Sequence, residues 1–382
     1  MPIIWRYLLS HYLKVLCFCV VSFIAVLMTT RLQEIAHFAA LGSQGMYVLL
    51  FALYQIPYIL PIALPVSCLI SAMILIKRLS TTYELTALRA SGISLKDILT
   101  PILLAASILT LANFYVVSEV ATDSHLKTRV LEQEIRSINP MLLLENHHLT
   151  KLRGMYVNSL GPSHAGISAS DLIIAFPNRQ NHRLSVMVAK KIETDSLQLI
   201  GDKISMINSI DTMNRQHYDH ILIENVDNST TSAEDFSNML RNQSGSRINT
   251  DYLKLSLLQL RAKEDRLELQ KAEAIGDASL ISFYNNRITR SYSEILRRIS
   301  LSLAVLTFTL MGTAFGISIS RRQSYQGVIW VIGLATLFLV SFFTAKGLDH
   351  FIMTASLLYI VPHLIIIACS IRAIKHASKG IE

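Results

Sequence analysis

The chain has 382 residues, 51% of them hydrophobic and only 16% charged, well under the roughly 25% charged residues of soluble domains, so the composition is that of a membrane protein. The formal net charge of +8 does not indicate nucleic acid, because many basic residues flank apolar runs and no RNP, zinc-finger or basic-zipper pattern occurs. All four cysteines (Cys17, Cys19, Cys68 and Cys369) lie inside apolar runs. That excludes a disulfide framework or a standard zinc spacing, and they read as small buried hydrophobes.

In chain order, Val15 to Thr30 is charge-free and predicts a first span, extended by Leu13 past a snorkelling Lys14. Its apolar core is longer than a signal-peptide core and no small-x-small site precedes Arg31, so it reads as retained. Phe38 to Ile76 is also charge-free, and as a helix it would be about 58 Å long. No polar turn interrupts it, and a hairpin would reverse the sidedness of Lys77 and Arg78. One long kinked helix starting near Gly42 to Tyr47 is therefore expected. Pro57, Pro61 and Pro65 recur every four residues on one face and are the expected kink points.

The polar stretch Lys77 to Ser94 follows. Thr81-x-x-Glu84 has the form of a capping box, Gly92 suits the left-handed position after a helix, and Ser94 can cap the next helix. This predicts a helix over Thr81 to Ser91. A bare connector needs no helix, so Glu84, Leu85, Leu88 and Arg89 form a candidate docking surface for a partner, the alternative for Glu84 being the capping role alone.

Ile98 to Ser118 predicts the third span, with Asn113 as an interhelical hydrogen-bonding group. Glu119 to Ile138 reads as its charged helical continuation. Met141 to about Asn228 reads as β, with runs such as Asp171 to Ala175, Leu184 to Val188 and Ile221 to Ile223, and with Gly161-Pro162 and Gly201-Asp202 as turn signals. His147-His148 would point to opposite faces of a strand, which argues against a metal pair. Asn228 to Thr250 is Ser/Asn-rich and reads as a mobile loop. From Asp251 the chain is helical, with Leu253, Leu257, Leu260 and Leu267 on one face, and it runs through Arg287, Arg290, Arg297 and Arg298 into a fourth span. Ile299 to Ser320, Gln323 to Ala345 and Phe351 to Ile371 are the last three spans, and His363 in the sixth reads as a core group rather than a proton relay. Arg31, and Lys346 at the corresponding end of the fifth span, either anchor and ion-pair at the interface or recognise anionic lipid head groups.

Four regions result: 1–118 with spans one to three and the helix 81–91, 119–250 as the β domain with its helical lead-in, 251–298 as a helical connector, and 299–382 with spans four to six. The fold class is an α-helical membrane protein of six spans with an inserted all-β domain. Short-loop basic residues put Arg6, Lys77, Arg78, Arg89, Lys96, Arg321, Arg322, Arg372, Lys375 and Lys379 on one side, against Arg31 and Lys346 on the other. Both termini and the Glu84 helix are thus expected in the cytoplasm and 119–298 outside it. No P-loop, GxSxG, HExxH or kinase pattern occurs, so no enzyme, cofactor or metal is expected, and an ATP-driven mechanism would need another chain.

Tyr83-Glu-Leu-Thr-Ala-Leu-Arg-Ala-Ser-Gly-Ile-Ser94 after the second span resembles the lipopolysaccharide-export permeases LptF and LptG. So do Ile4-Trp-Arg-Tyr-Leu8, Asn139-Pro140, Val188-Ala-Lys-Lys-Ile192 and Ser293-Glu-Ile-Leu-Arg-Arg298. The resemblance implies an inner-membrane subunit of an ABC transporter whose β domain is a periplasmic jellyroll. It implies pairing with a paralogous permease, an LptB-type ATPase dimer and an LptC-type single-span protein, and delivery of lipopolysaccharide to a periplasmic bridge. It makes the helix 81–91 the coupling helix, with Glu84 as its acidic contact, and carries lipid-facing basic residues loosely to Arg31. The alternative is a membrane-anchored periplasmic receptor or assembly scaffold without transport, which accounts for the β region and not for the capped helix.

Overall fold

Each charge-free run becomes a helix long and apolar enough to cross a membrane, six in all among the described residues. The computed structural model describes residues 3–40, 45–138, 150–152, 155–161, 163–164, 168–177, 184–195, 198–209, 220–232, 250–317 and 326–378. The helices are α1 (Ile3–Ala40), α2 (Gly45–Thr81), α3 (Glu84–Ala90), α4 (Leu95–Tyr115), α5 (Ala121–Ile138), α6 (Leu255–Ile275), α7 (Ala278–Gly316), α8 (Gln326–Gly347) and α9 (Ile352–Ser378). A π-helical turn, Val116–Val120, joins α4 to α5, and a 3-10 turn, Thr250–Tyr252, precedes α6. The expected single helix in place of a hairpin is found: α2 runs through Pro57, Pro61 and Pro65.

By contacts the chain divides into two units, one of Met1–Leu32, Ala52–Lys127 and Ile248–Glu382, the other of Gln33–Phe51 and Thr128–Arg247. In the first unit an apolar cluster gathers Leu8 and Tyr12 of α1, Ile76 and Leu79 of α2, Leu85 of α3, and Ile98 and Ile102 of α4. A second joins Phe308 and Met311 of α7 to Phe338 of α8 and Tyr359 of α9. Helices α2 and α7 meet where α7 has no side chain: a Cβ on Gly312 would lie 2.4 Å from the Leu69 carbonyl oxygen, and one on Gly316 3.1 Å from Ile76 Cβ. Inside lipid, where apolar burial gives helices little reason to associate, such close backbone approach supplies the packing.

Polar side chains in the bundle have backbone work. Pro65 has no N–H for the Pro61 carbonyl four residues earlier, and Asn113 of α4 donates to that oxygen at 3.5 Å and to the Leu301 carbonyl at 3.4 Å. His363, buried in α9, lies 3.0 Å from Ser300 Oγ and 3.2 Å from Thr307 Oγ1. It is a satisfied core histidine that pins α9 to α7.

Helix α6 ends at Gly276, whose φ of +77° is the left-handed stop. Asp277 then caps α7 by accepting from the backbone N–H groups of Ser279 and Leu280. The helical region after Asp251 is thus two helices, packed together through Leu258, Ala262, Asp265 and Ala272 of α6. This corrects the expected face: Leu257, Leu260 and Leu267 are about half exposed, at 49%, 53% and 59%. Asp265 is buried and pairs with Arg287 at 3.0 Å. Burial holds its carboxyl above the usual range, and Arg287 pulls the other way.

The second unit holds the expected β domain, an antiparallel sheet of β1 (Thr150–Leu152), β2 (Met155–Ser159), β3 (Ser163–His164), β4 (Ser168–Pro177), β5 (Leu184–Asp195), β6 (Gln198–Ser209), β7 (His220–Val226) and β8 (Ser229–Ser232). The main order is β1-β2-β4-β5-β6-β7, with β3 on β4 and β8 on β6. Alternation turns Leu172 and Ile174 of β4 into one cluster, which Ala189 and Ile192 of β5 share. Two expectations need correction. Gly201-Asp202 is no turn but lies inside β6, opposite Ile192 and Lys191. The stretch read as a loop from Asn228 opens with β8, paired to Gln198–Gly201. Residues 233–249, His147-His148 and Asn139-Pro140 lie outside the described residues. Among the described strands β7 is a terminal one, with Ile221, Leu222 and Ile223 exposed.

Candidate functional site

The site begins with how α2 stops. The hydroxyls of Thr81 and Thr82 each reach back 2.9 Å to the Arg78 carbonyl in the last turn of α2, which also accepts from the Thr82 backbone N–H. Tyr83 then adopts a left-handed φ of 62°, and α3 starts at Glu84 with no side-chain cap. The expected capping box is therefore not formed: Thr81 is the last residue of α2, its hydroxyl turned backward. Thr82 Oγ1 also lies 3.1 Å from Glu84 Oε1, and its single proton serves either acceptor.

The stop of α3 is as expected from Gly92, whose φ is +89°. The N–H of Ile93 donates to the Leu88 carbonyl and that of Gly92 to the Arg89 carbonyl, the paired bonds of a Schellman motif. Ser94 caps α4 as expected, accepting from the Asp97 N–H at 3.2 Å. The helix is shorter than expected, Glu84–Ala90 rather than Thr81 to Ser91.

The four candidate docking residues differ in exposure. Leu85 is buried, 4% exposed, and Leu88 packs partly buried against the same cluster. Glu84 accepts a 3.1 Å hydrogen bond from the Tyr7 hydroxyl of α1. Arg89 donates to the carbonyls of Ala377 at 3.3 Å and Ser378 at 2.9 Å, at the end of α9. The outward face consists of Tyr83, Thr86, Ala87 and Ala90, with Glu84 at its edge. Sequence spacing alone missed Tyr7, whose only local signal is an aromatic hydroxyl near the start of a span.

Arg31 and Lys346 have separate surroundings. The Arg31 guanidinium lies 5.0 Å from the centre of the Tyr58 ring, which stacks on His125, which in turn meets Tyr252. Lys346 lines a recess with Asp251, Arg290, Glu294, Arg297, Asp349 and Tyr359. In its wall Glu294 receives two hydrogen bonds of 2.6 Å from Arg297 and one of 2.8 Å from the fully buried Arg298, while Arg290 pairs with Asp349 at 3.4 Å. Burial raises the Asp251 carboxyl above its usual range, as does the nearby Glu294 charge, with Arg297 and Lys346 opposing. The i,i+3 and i,i+4 spacing of Glu294 with Arg297 and Arg298 was the sequence signal for this network.

Among the described residues no three His, Cys, Asp or Glu side chains are grouped to hold a metal. What the arrangement offers is mechanical: a short helix rooted in the bundle with one polar edge exposed. No curated protein matches the chain. The family model described as lipopolysaccharide export system permease LptF/LptG matches residues 6–376, from the start of α1 to the end of α9 and including both the sheet and α3. The chain is thus a multi-pass membrane protein with a non-catalytic, lipopolysaccharide-exporting role, and it belongs to the LptF/LptG permease family.

Proposed function

We propose that this chain is the permease half of an exporter driven by a separate cytoplasmic ATPase, which engages α3 and uses Glu84 as its acidic contact. The observation that carries the reading is the construction of α3. Leu85 and Leu88 root it in a cluster shared with α1, α2 and α4, so a force on its exposed edge reaches several spans. Family membership supplies the cargo, and the lack of a P-loop in the sequence assigns ATP hydrolysis to another chain. The orientation rests on the basic residues of the short loops, which put the termini and α3 in the cytoplasm and the sheet in the periplasm of an inner membrane.

In this reading a paralogous permease completes the membrane cavity, and closure of the spans expels the lipid upward. Pro57, Pro61 and Pro65 give α2 the freedom to bend during that closure. Arg31 and Lys346 contribute positive charge toward the lipid phosphates. Among the described residues β7 ends the strand order, and that edge suits strand addition by the β domain of an LptC-type protein. Affinity purification of the tagged full chain from its own membranes tests the reading. A co-purifying ATPase, a second permease and a single-span protein are expected. Recovery of the chain without any ATPase would favour the receptor or scaffold reading.

A further inference from the structure

We propose that α3 is strapped directly to the first and last spans, by Tyr7 and Arg89, and that these straps rather than the flanking loops deliver ATPase motion to α1 and α9. The inference rests on the docking reading above and adds how the motion leaves the helix.

By sequence α3 is joined only to α2 and α4. In space it is also held at both ends by hydrogen bonds to groups far along the chain. At its start the Tyr7 hydroxyl of α1 donates to Glu84 Oε2 at 3.1 Å. At its end the Arg89 guanidinium spans two successive carbonyls, Ala377 and Ser378, with Nη1 at 3.3 Å and Nη2 at 2.9 Å. These oxygens belong to the last turn of α9, where helix carbonyls have no partner of their own and the negative end of the dipole favours a cation. The planar fork of an arginine suits two neighbouring acceptors, and a lysine would reach them only as a point charge. Apolar contact accompanies the strap: Leu88 and Ile93 around α3, and Ile374 and Ala377 of α9, pack on one shared cluster.

The straps are unequal. Tyr7 makes one bond to an exposed carboxylate, where water competes. Arg89 makes two bonds, one of them part-buried, so α9 is the more tightly held span. Glu84 therefore faces two ways, toward an incoming basic group and toward Tyr7. Arg89 is engaged with the end of α9, and its role is positioning, not docking.

The test uses the complete complex in lipid bilayers, reading ATPase recovery, ATP hydrolysis, and lipopolysaccharide delivered per ATP. Arg89→Gln should keep ATPase recovery and lower delivery per ATP by about fivefold or more, the usual scale of site-to-site coupling. Arg89→Lys should restore part of it, and Tyr7→Phe should give a smaller loss. A chain ending after Ile374 removes the acceptors instead of the donor. It should show the same loss as Arg89→Gln, and combining the two should add little, as for groups acting through one contact. Unchanged delivery per ATP in Arg89→Gln, or in the shortened chain should Arg89→Gln not fold, overturns the proposal. Loss of ATPase recovery in Arg89→Gln overturns it too, by making Arg89 a docking contact. A wild-type chain that recovers no ATPase sinks the docking reading itself, and the straps with it.

Discussion

A proline in a membrane helix takes the donor from the carbonyl four residues earlier, and at Pro65 the loss falls on Pro61. Asn113 sits against that oxygen, at a long 3.5 Å, and bridges to α7 through Leu301. Asn113→Ala should destabilise the purified protein by about 1 kcal/mol, the usual net worth of such a bond. Pro65→Ala restores the N–H and should make Asn113 partly dispensable, so the double variant should lose less than Asn113→Ala alone in thermal unfolding. Equal losses would separate the two residues. Asn113 was legible as a polar residue in an apolar run, but its acceptor was not, because the pairing joins residues 52 positions apart. Gly92 and Ser94 were legible for the opposite reason: their roles are set by neighbours within three residues. Thr81 misled because its hydroxyl can serve the helix before it or the helix after it, and α2 was the longer claimant.

Helix against helix, α2 and α7 depend on the missing side chain at Gly312. Gly312→Ala places a methyl 2.4 Å from the Leu69 carbonyl, and should cost roughly 1–3 kcal/mol as overpacking, seen as a lower unfolding temperature in detergent. Gly333→Ala, with nothing within 4 Å of its Cβ, is the matched control and should be near neutral. The pair of α6 and α7 carries a pH dependence through Asp265. Its carboxyl is held above the ordinary aspartate value of 3.8, so the folded pair binds this proton more tightly than the unfolded chain. The stabilising contribution is fully present below 3.8 and is lost as pH rises through the folded value. Hydrogen exchange of α6 amides, corrected for intrinsic rates, should therefore show more protection at the acid end of that window, and Asp265→Asn should flatten the trend. The buried face of α6 was misread because leucine spacing marks an apolar stripe without saying whether α7 or another surface meets it. The chosen face instead buries Leu258, Ala262 and Ala272, two of them small enough for close approach.

For the whole molecule, the spans and the inserted sheet were legible because charge-free runs and alternation are properties of the chain itself. Strand ends were less so: Gly201 lies within β6 because ladder bonds on both sides outweigh a local turn preference. The recess around Lys346 was legible only in part, since Asp251, Glu294 and Asp349 come from three separated segments. If β7 recruits a partner strand, placing lysines at Ile221 and Ile223 should blunt that edge and reduce recovery of the single-span protein while leaving the ATPase bound. The central claim is that ATP-driven motion enters through α3 at Glu84, and lipopolysaccharide-stimulated ATP hydrolysis by the reconstituted complex carrying Glu84→Lys tests it most directly. The stimulation should be lost, along with co-purification of the ATPase, while the chain still folds with its six spans. Full stimulation with the ATPase still bound would contradict the account.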